Sequence, residues 1–346
     1  MLFRANPELM DQYFLYYSLL GPTVQAQIKT FGSGSTVEHV RVPDAEKITI
    51  PYPELNTQRK IAAILTAYDD LIETNKRRIA LLEKMAEELY REWFVRMRFP
   101  GHQNTKFVKG VPEGWEPIRM RDLVEHYIGG GWGEDNRTLE FSESAFVIRG
   151  TDIPRAQVAD LSSIPFRYHT ASNLRSRLMR PDDFVFEASG GSKNQLLGRN
   201  VRVSSALLES LPEPVIPASF CKLIRFDRAK VSPYLMQQYL KLFYDQGLVG
   251  IFQVQSTGIS NYQFESFLKY HKMLTPPESL QRQFEEIVKP MLGLKDRLGL
   301  ENSVAIQTRD LLLPRLISGK LSVEDLDIQF PPSMQEETTE AEPAHA

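Results

Sequence analysis

From Thr57 to Arg98 the chain runs for about forty residues without a proline or a glycine. Apolar side chains recur at Ile61, Ile64, Tyr68, Leu71, Leu82, Met85 and Leu89, in steps that place them on one stripe of a helix. At about 1.5 Å per residue such a helix is roughly 60 Å long. That exceeds the width of a small domain, so the pattern predicts a helix that stands partly free or lies against a second one. Asn75 falls on the stripe, where a buried amide favours one register over others at a cost in stability. The opposite face carries both signs of charge, as a solvated face does. A second stretch, Glu278 to Ser318, repeats the pattern with Phe284, Ile287, Met291, Leu294, Leu298, Ala305 and Leu312. Pro290 predicts a kink there, and Gly293 and Gly299 weaken the helix. Two helices that each carry half a seam predict an antiparallel pair.

Between them the period changes. Phe146–Arg149, Asp183–Phe186 and Phe220–Phe226 are short runs of aromatic and branched residues between turn formers, and they predict strands. Val111–Trp115 predicts a turn. Prolines from Pro112 to Pro217 argue against long helices before Tyr234. The expected class is α+β, a globular domain with two long helices forming an antiparallel coiled coil. From Gln329 onward the chain is acidic and poor in large apolar residues, which predicts disorder.

The chain also repeats itself. Asn6-Pro7-Glu8-Leu9-Met10, with Gln12-Tyr13 after it, matches Ser232-Pro233-Tyr234-Leu235-Met236 with Gln238-Tyr239. Each is followed by a small-residue loop, Gly32–Thr36 or Gln255–Ile259. A strand-like run then ends at Pro53 or Pro276, and Gln58-Arg59 or Gln281-Arg282 opens a long helix. About 118 residues separate Val111–Trp115 from the second copy of the motif, whereas five precede the first copy. The first globular domain is therefore expected to lack most of its N-terminal part.

These motifs resemble the specificity (S) subunits of type I restriction–modification systems. The resemblance rests on Pro53 followed by Gln58–Ile61, on Asp69–Ile72, on Leu89–Phe94 leading to Phe99-Pro100-Gly101, on Pro112–Trp115, and on Leu312–Leu321. It covers roughly residues 1–325 and rests on order and spacing. It implies two target-recognition domains, each reading half of a bipartite DNA sequence, spaced by two conserved helices that also dock modification subunits. The expected division is residues 1–56 as the C-terminal remnant of a first recognition domain and 57–98 as the first conserved helix. A complete recognition domain at 107–277, the second helix at 278–320 and an acidic, disordered tail at 321–346 follow. The short start implies a shortened subunit or a truncated sequence, and pairing with a second S chain is an expectation. The resemblance further implies that methylation and cleavage reside in modification and restriction subunits, which use S-adenosylmethionine, ATP and Mg²⁺. This chain would bind no cofactor.

Composition bears on this reading in two ways. The net charge of −3 argues against a wholly basic DNA binder, yet from Arg167 to Arg202 seven Lys/Arg face three Asp/Glu, and from Glu324 to the end seven acidic residues face no Lys or Arg. That distribution is compatible with binding DNA through one face. A single cysteine, Cys221, excludes an intramolecular disulfide and predicts a reducing compartment, hence the cytoplasm. The first ten residues lack the features of a signal peptide, and no apolar run is long enough to span a bilayer.

A duplex is held by Lys and Arg on phosphates and read by side chains on base edges. Three loops carry such residues. Ser192, Lys193, Asn194 and Gln195, with Arg199, combine phosphate-seeking cations with two amides that can pair with adenine. Gly131 and Trp132, with Asn136 and Arg137, form a second candidate; Ser256 and Thr257 form a third. The competing readings are an incidentally polar surface loop, a hairpin with Trp132 in the core, and solvated arginines at Arg175, Arg177 and Arg180. Catalysis is not expected. Asp182 with Glu187 imitates a metal-nuclease site, but Ser189 stands where a lysine is needed, and the six histidines lack ligand spacing. The rival readings are an interaction protein that binds modification subunits without directing them to DNA, and a stand-alone nuclease.

Overall fold

The computed structural model describes residues 3–31, 40–190, 195–255 and 258–336. The chain forms two units, Met1–Lys76 with Glu301–Ala346 and Arg77–Leu300. Each of the long helices, Leu55–Tyr90 and Glu278–Ile317, contributes a part to each unit. The two helices pair antiparallel. In the first unit Asp69 meets Arg309 at 2.5 Å and Asn75 donates to Glu301 at 3.0 Å. In the second Lys295 lies 3.6 Å from Glu83, and the Tyr90 ring packs edge-on to Phe284.

The buried stripe differs from the expected one in a consistent way. On the first helix Ile61, Leu65, Ile72, Asn75, Ile79, Ala86 and Tyr90 are buried, whereas Leu71 and Met85 are 38% and 52% exposed. With Tyr68 and Leu82 half-buried between them, these positions alternate by four and three from Ile61 to Ala86, the 3.5-residue period of a coiled coil. On the second helix Phe284, Val288, Leu298, Asn302, Ala305 and Leu316 keep the same rhythm, and Ile287 faces out. Asn75 is fully buried, as its place on the stripe requires. Pro290 lies inside a helix that continues past it to Ile317.

In the first unit Phe14, Tyr17, Ile61, Leu65, Leu316 and Val323 form the core. Asp11 caps the helix Gln12–Leu20 by accepting from the N–H groups of Tyr13 and Phe14. Two expectations fail here. The stretch from Leu321 to Glu336 is not a loose tail, because Leu321, Val323, Ile328 and Met334 pack on this core. A short helix, Pro332–Glu336, forms there, and Ser333 bonds to both Tyr13 and Asp70. Residues 337–346 lie outside the described residues. The repeat also aligns differently in space. Gln58 accepts from Asp11 N–H and donates to the carbonyls of Leu9 and Pro53; Gln281 accepts from Ser232 N–H and donates to those of Lys230 and Pro276. Asp11, not Asn6, is thus the counterpart of Ser232, and both cap a helix.

The second unit is built on a four-stranded antiparallel sheet, in the order Val124–Gly129, Cys221–Phe226, Phe184–Glu187, Asn200–Arg202. Alternate residues of Phe184–Phe186 and Leu223–Phe226 face opposite layers, and both layers are covered. One layer holds Phe184, Phe186, Ile224 and Phe226 with Trp93, Phe94 and the helix Pro233–Asp245; the other holds Val185, Cys221 and Leu223 with Ile148, Ile153 and Leu207. Beside it Glu143–Ile148 lies between a parallel strand, Val215–Pro217, and an antiparallel one, Phe166–His169. Among the described residues, helices before Pro233 in this unit's globular part span seven residues or fewer, as the prolines indicate.

Candidate nucleic-acid interface

The first candidate loop leaves the sheet at Gly129. Gly130 N–H donates to Cys221 O at 2.9 Å and Gly131 N–H to Pro217 O at 3.0 Å. A Cβ on Gly130 would lie 2.1 Å from Ala218 O, and one on Gly131 2.7 Å from Asn173 Oδ1. The close approach that these glycines allow is therefore to the protein's own backbone and helix Ala171–Arg177.

Trp132 is not tucked into the core. It is 39% exposed and lies under the Arg167 guanidinium, 4.5 Å from ring centroid to Cζ. Arg167 also donates to the carbonyls of Trp132 and Gly133 and pairs with Asp135. One buried arginine thus fixes three loop positions, Trp132, Gly133 and Asp135, and Asn136 and Arg137 stand exposed beyond them.

The other two loops share one small sheet. Ser260–Tyr262 pairs with Gln253–Gln255 on one side and Ser189–Gly190 on the other, with Ser260 opposite both Gln255 and Gly190. Both loops therefore spring from the same end. Ser192, Lys193, Asn194, Ser256 and Thr257 lie outside the described residues, but the strands that carry them do not. Gln195 is half-buried. The N–H groups of Ala188 and Ser189 both donate to Phe220 O, in the same 217–221 turn that receives Gly130 and Gly131. The base of the glycine loop and the strand leading into the second loop both bond to that turn, while the strands flanking the third are joined to it only through Ser189–Gly190; Phe220 at the tip of the turn is 61% exposed.

Arg199 departs from its expected role. Its guanidinium bonds Glu187 at 2.8 and 2.5 Å, and the two side chains are 13% and 5% exposed. The pair ties two strands of the sheet together, so this cation is spent inside the protein. Asp182 likewise pairs with Arg202 at 2.7 Å and Arg228 at 3.0 Å. The two carboxylates that imitated a nuclease site are ion-pair partners, and among the described residues no cluster of His, Cys, Asp and Glu could hold a metal.

Sequence reading missed Phe220, Arg167 and His169. His169 is fully buried behind Gly133, its ring nitrogens have no partner among the described residues, and burial, with Arg167 and Arg177 nearby, lowers its pKa. Arg175 is exposed, while Arg177 donates to Gly129 O at 2.9 Å and so buttresses the glycine loop. An arginine inside a strand gives no sign in sequence of the loop that it will hold.

A family profile described as "Type I restriction modification DNA specificity domain" matches residues 1–84. The chain is 24% identical over 324 residues to the type I restriction enzyme MjaIX specificity subunit of Methanocaldococcus jannaschii, a match covering 90% of this chain and 70% of that protein. It is 22% identical over 326 residues to the MjaVIII specificity subunit of the same organism, covering 92% and 72%. In fold it is similar to the crystal structure of the type I restriction–modification S subunit from M. genitalium, with a TM-score of 0.52, 17% identity, and 90% and 74% of the two chains covered.

Proposed function

We propose that this chain, related in sequence and fold to the type I restriction–modification specificity subunits, is the DNA-reading subunit of such a complex. It directs adenine methylation and restriction carried out by partner subunits. The observation that carries this reading at residue level is that the bases of two candidate loops bond to the 217–221 turn, and the strands of the third pair beside one of them. Loops held at one end of a rigid sheet can enter a groove together, with exposed Asn136 and Arg137 at the tip of one and Lys193, Asn194, Ser256 and Thr257 in the others. Arg175 supplies a phosphate contact at the edge. Scaffold residues such as Arg167 and Arg177 reach the DNA only through the loops they hold.

In this reading the chain is not itself an enzyme and binds no cofactor. Its partners are double-stranded DNA, the modification subunits, the restriction subunit through the assembled complex, and a second specificity chain. It works in the cytoplasm; among the described residues no helix is long and apolar enough to cross a membrane. The purified chain should bind duplex DNA with an affinity that falls linearly, on logarithmic axes, as salt rises, because each phosphate contact releases counterions. Replacing Arg137, Arg175 and Lys193 by Ala should flatten that line by about two to three units of slope. An unaltered slope would remove these residues from the interface. Addition of the cognate modification subunit with S-adenosylmethionine should then yield methylated adenine, which the chain alone should not produce.

A further inference from the structure

The stretches preceding the two long helices use their backbones differently. Before the second helix, Lys272–Thr275 pairs antiparallel with Glu116–Arg119. Met120 N–H donates to His271 O at 2.9 Å, which makes His271 a hydrogen-bonded position of this ladder. Such positions recur at every second residue, so Met273 and Thr275 share the role. Pro117, which has no N–H to give, falls opposite Leu274 at a non-bonded position.

Pro276 and Gln281 follow that strand, as Pro53 and Gln58 follow the corresponding stretch before the first helix, and the two glutamines make matching bonds. Counting back from each proline, His271, Met273 and Thr275 correspond to Ile48, Ile50 and Tyr52. The intervening positions are Thr49 and Pro51. Thr49 N–H donates to Gln27 Oε1 at 2.9 Å and Gln27 Nε2 donates to Thr49 O at 2.8 Å, so one side-chain amide fills that edge as a strand would. Pro51 has no N–H. On the other edge Ile48 N–H turns back to Ala45 O. The backbone groups of Ile50 and Tyr52 make no hydrogen bond among the described residues, and Tyr52 is 50% exposed. One edge is satisfied; the edge that holds a strand in the second unit is open.

We propose that Ile48–Tyr52 is a strand-acceptor site that takes an extended segment of another polypeptide chain in antiparallel register. The segment it fits has the chemistry of Gly114–Met120: a glycine and an aromatic residue, then a strand that offers main-chain groups at alternate positions and tolerates proline between them. The inference rests on the internal repeat and the hydrogen bonding of this stretch, not on the DNA-reading proposal.

The test uses the full chain and a synthetic peptide of its own residues 111–122 as the probe. The peptide should bind saturably, and the amides of Ile50 and Tyr52 should gain protection from hydrogen exchange. Ile50→Pro and Tyr52→Pro, which remove the outward N–H groups, should each weaken binding about tenfold or more. A peptide carrying Ile118→Pro should bind correspondingly weakly. Lack of binding at about 1 mM peptide, binding indifferent to both chain substitutions, or protection that appears only elsewhere would each overturn the site. If Ile50→Pro loses the native circular dichroism, Tyr52→Pro and amide exchange in the unaltered chain decide. Salt-dependent DNA binding by the same preparation separates failure here from failure of the DNA reading.

Discussion

The Arg199–Glu187 pair shows how burial changes what a residue is for. In the sequence Arg199 follows a Gly/Ser/Lys/Asn/Gln loop and suits a phosphate. Among the described residues it is the only cation bonded to the Glu187 carboxylate, whose side chain is 5% exposed. Arg199→Ala should therefore destabilise the chain by about 3–5 kcal/mol, because it leaves a buried charge unpaired. The urea midpoint should fall well before any change in the salt dependence of DNA binding is seen, and adding Glu187→Leu should recover part of the loss. A midpoint unchanged in Arg199→Ala would return this arginine to the list of phosphate contacts. Two histidines set a pH limit at the same scale. Burial lowers the pKa of both His169 and His271, and His271 Nε2 is bonded to Tyr239 OH at 2.5 Å. The unfolded chain, with imidazoles near pKa 6.5, then takes up protons before the folded chain does. Stability should be level above about pH 7 and fall as pH drops through about 6.5, until the folded-state pKa values are passed. A melting temperature that stays constant from pH 8 to 5 would contradict this.

At the scale of the element, the seam was legible in kind and displaced in detail. Leu71 and Ile72 are neighbours and both apolar, and steps of three and four admit either. Only the strict alternation that a coiled coil imposes over several turns selects Ile72, with Ile79 and Ala86 after it. Ile72→Asp should destabilise by about 3 kcal/mol or more, since it buries an unpaired carboxylate, while Leu71→Asp should stay within about 0.5 kcal/mol. Equal thermal shifts in the two variants would refute the assigned seam. The segment expected to be disordered after Gln329 is ordered as far as Glu336 and packs on the core that holds Phe14 and Tyr17. Ile328 and Met334 are isolated apolar residues in an acidic stretch, so no period announces them, yet single side chains suffice to dock a segment on a core that already exists. The strands of the second unit were easier to read, because Phe184–Phe186 and, Arg225 apart, Leu223–Phe226 are apolar or aromatic on both covered faces.

For the whole molecule, the resemblance to type I specificity subunits was carried by the spacing of motifs, whereas the proposed DNA-facing surface was visible only as three separate loops. What joins the described bases of the first two is a main-chain turn at 217–221, and hydrogen bonds to carbonyl oxygens have no signature in side-chain identity. The described residues hold the bases of one such set of candidate loops. If it directs modification as the sole specificity chain of a complex, two copies related by a twofold axis would present two identical reading surfaces, and symmetry of the protein would be copied into the target. Methylation mapped across a genome in cells that carry this chain as their only specificity subunit should then reveal a palindromic site with a central gap. Replacing Asn136 and Asn194 together should relax the base preference in both half-sites equally, because each half-site meets the same loops, at a cost of about 1–3 kcal/mol of discrimination per lost contact. An asymmetric bipartite target would show that a second, different recognition surface takes part. Absence of methylation despite retained binding to the modification subunit would favour a chain that occupies the complex without reading DNA.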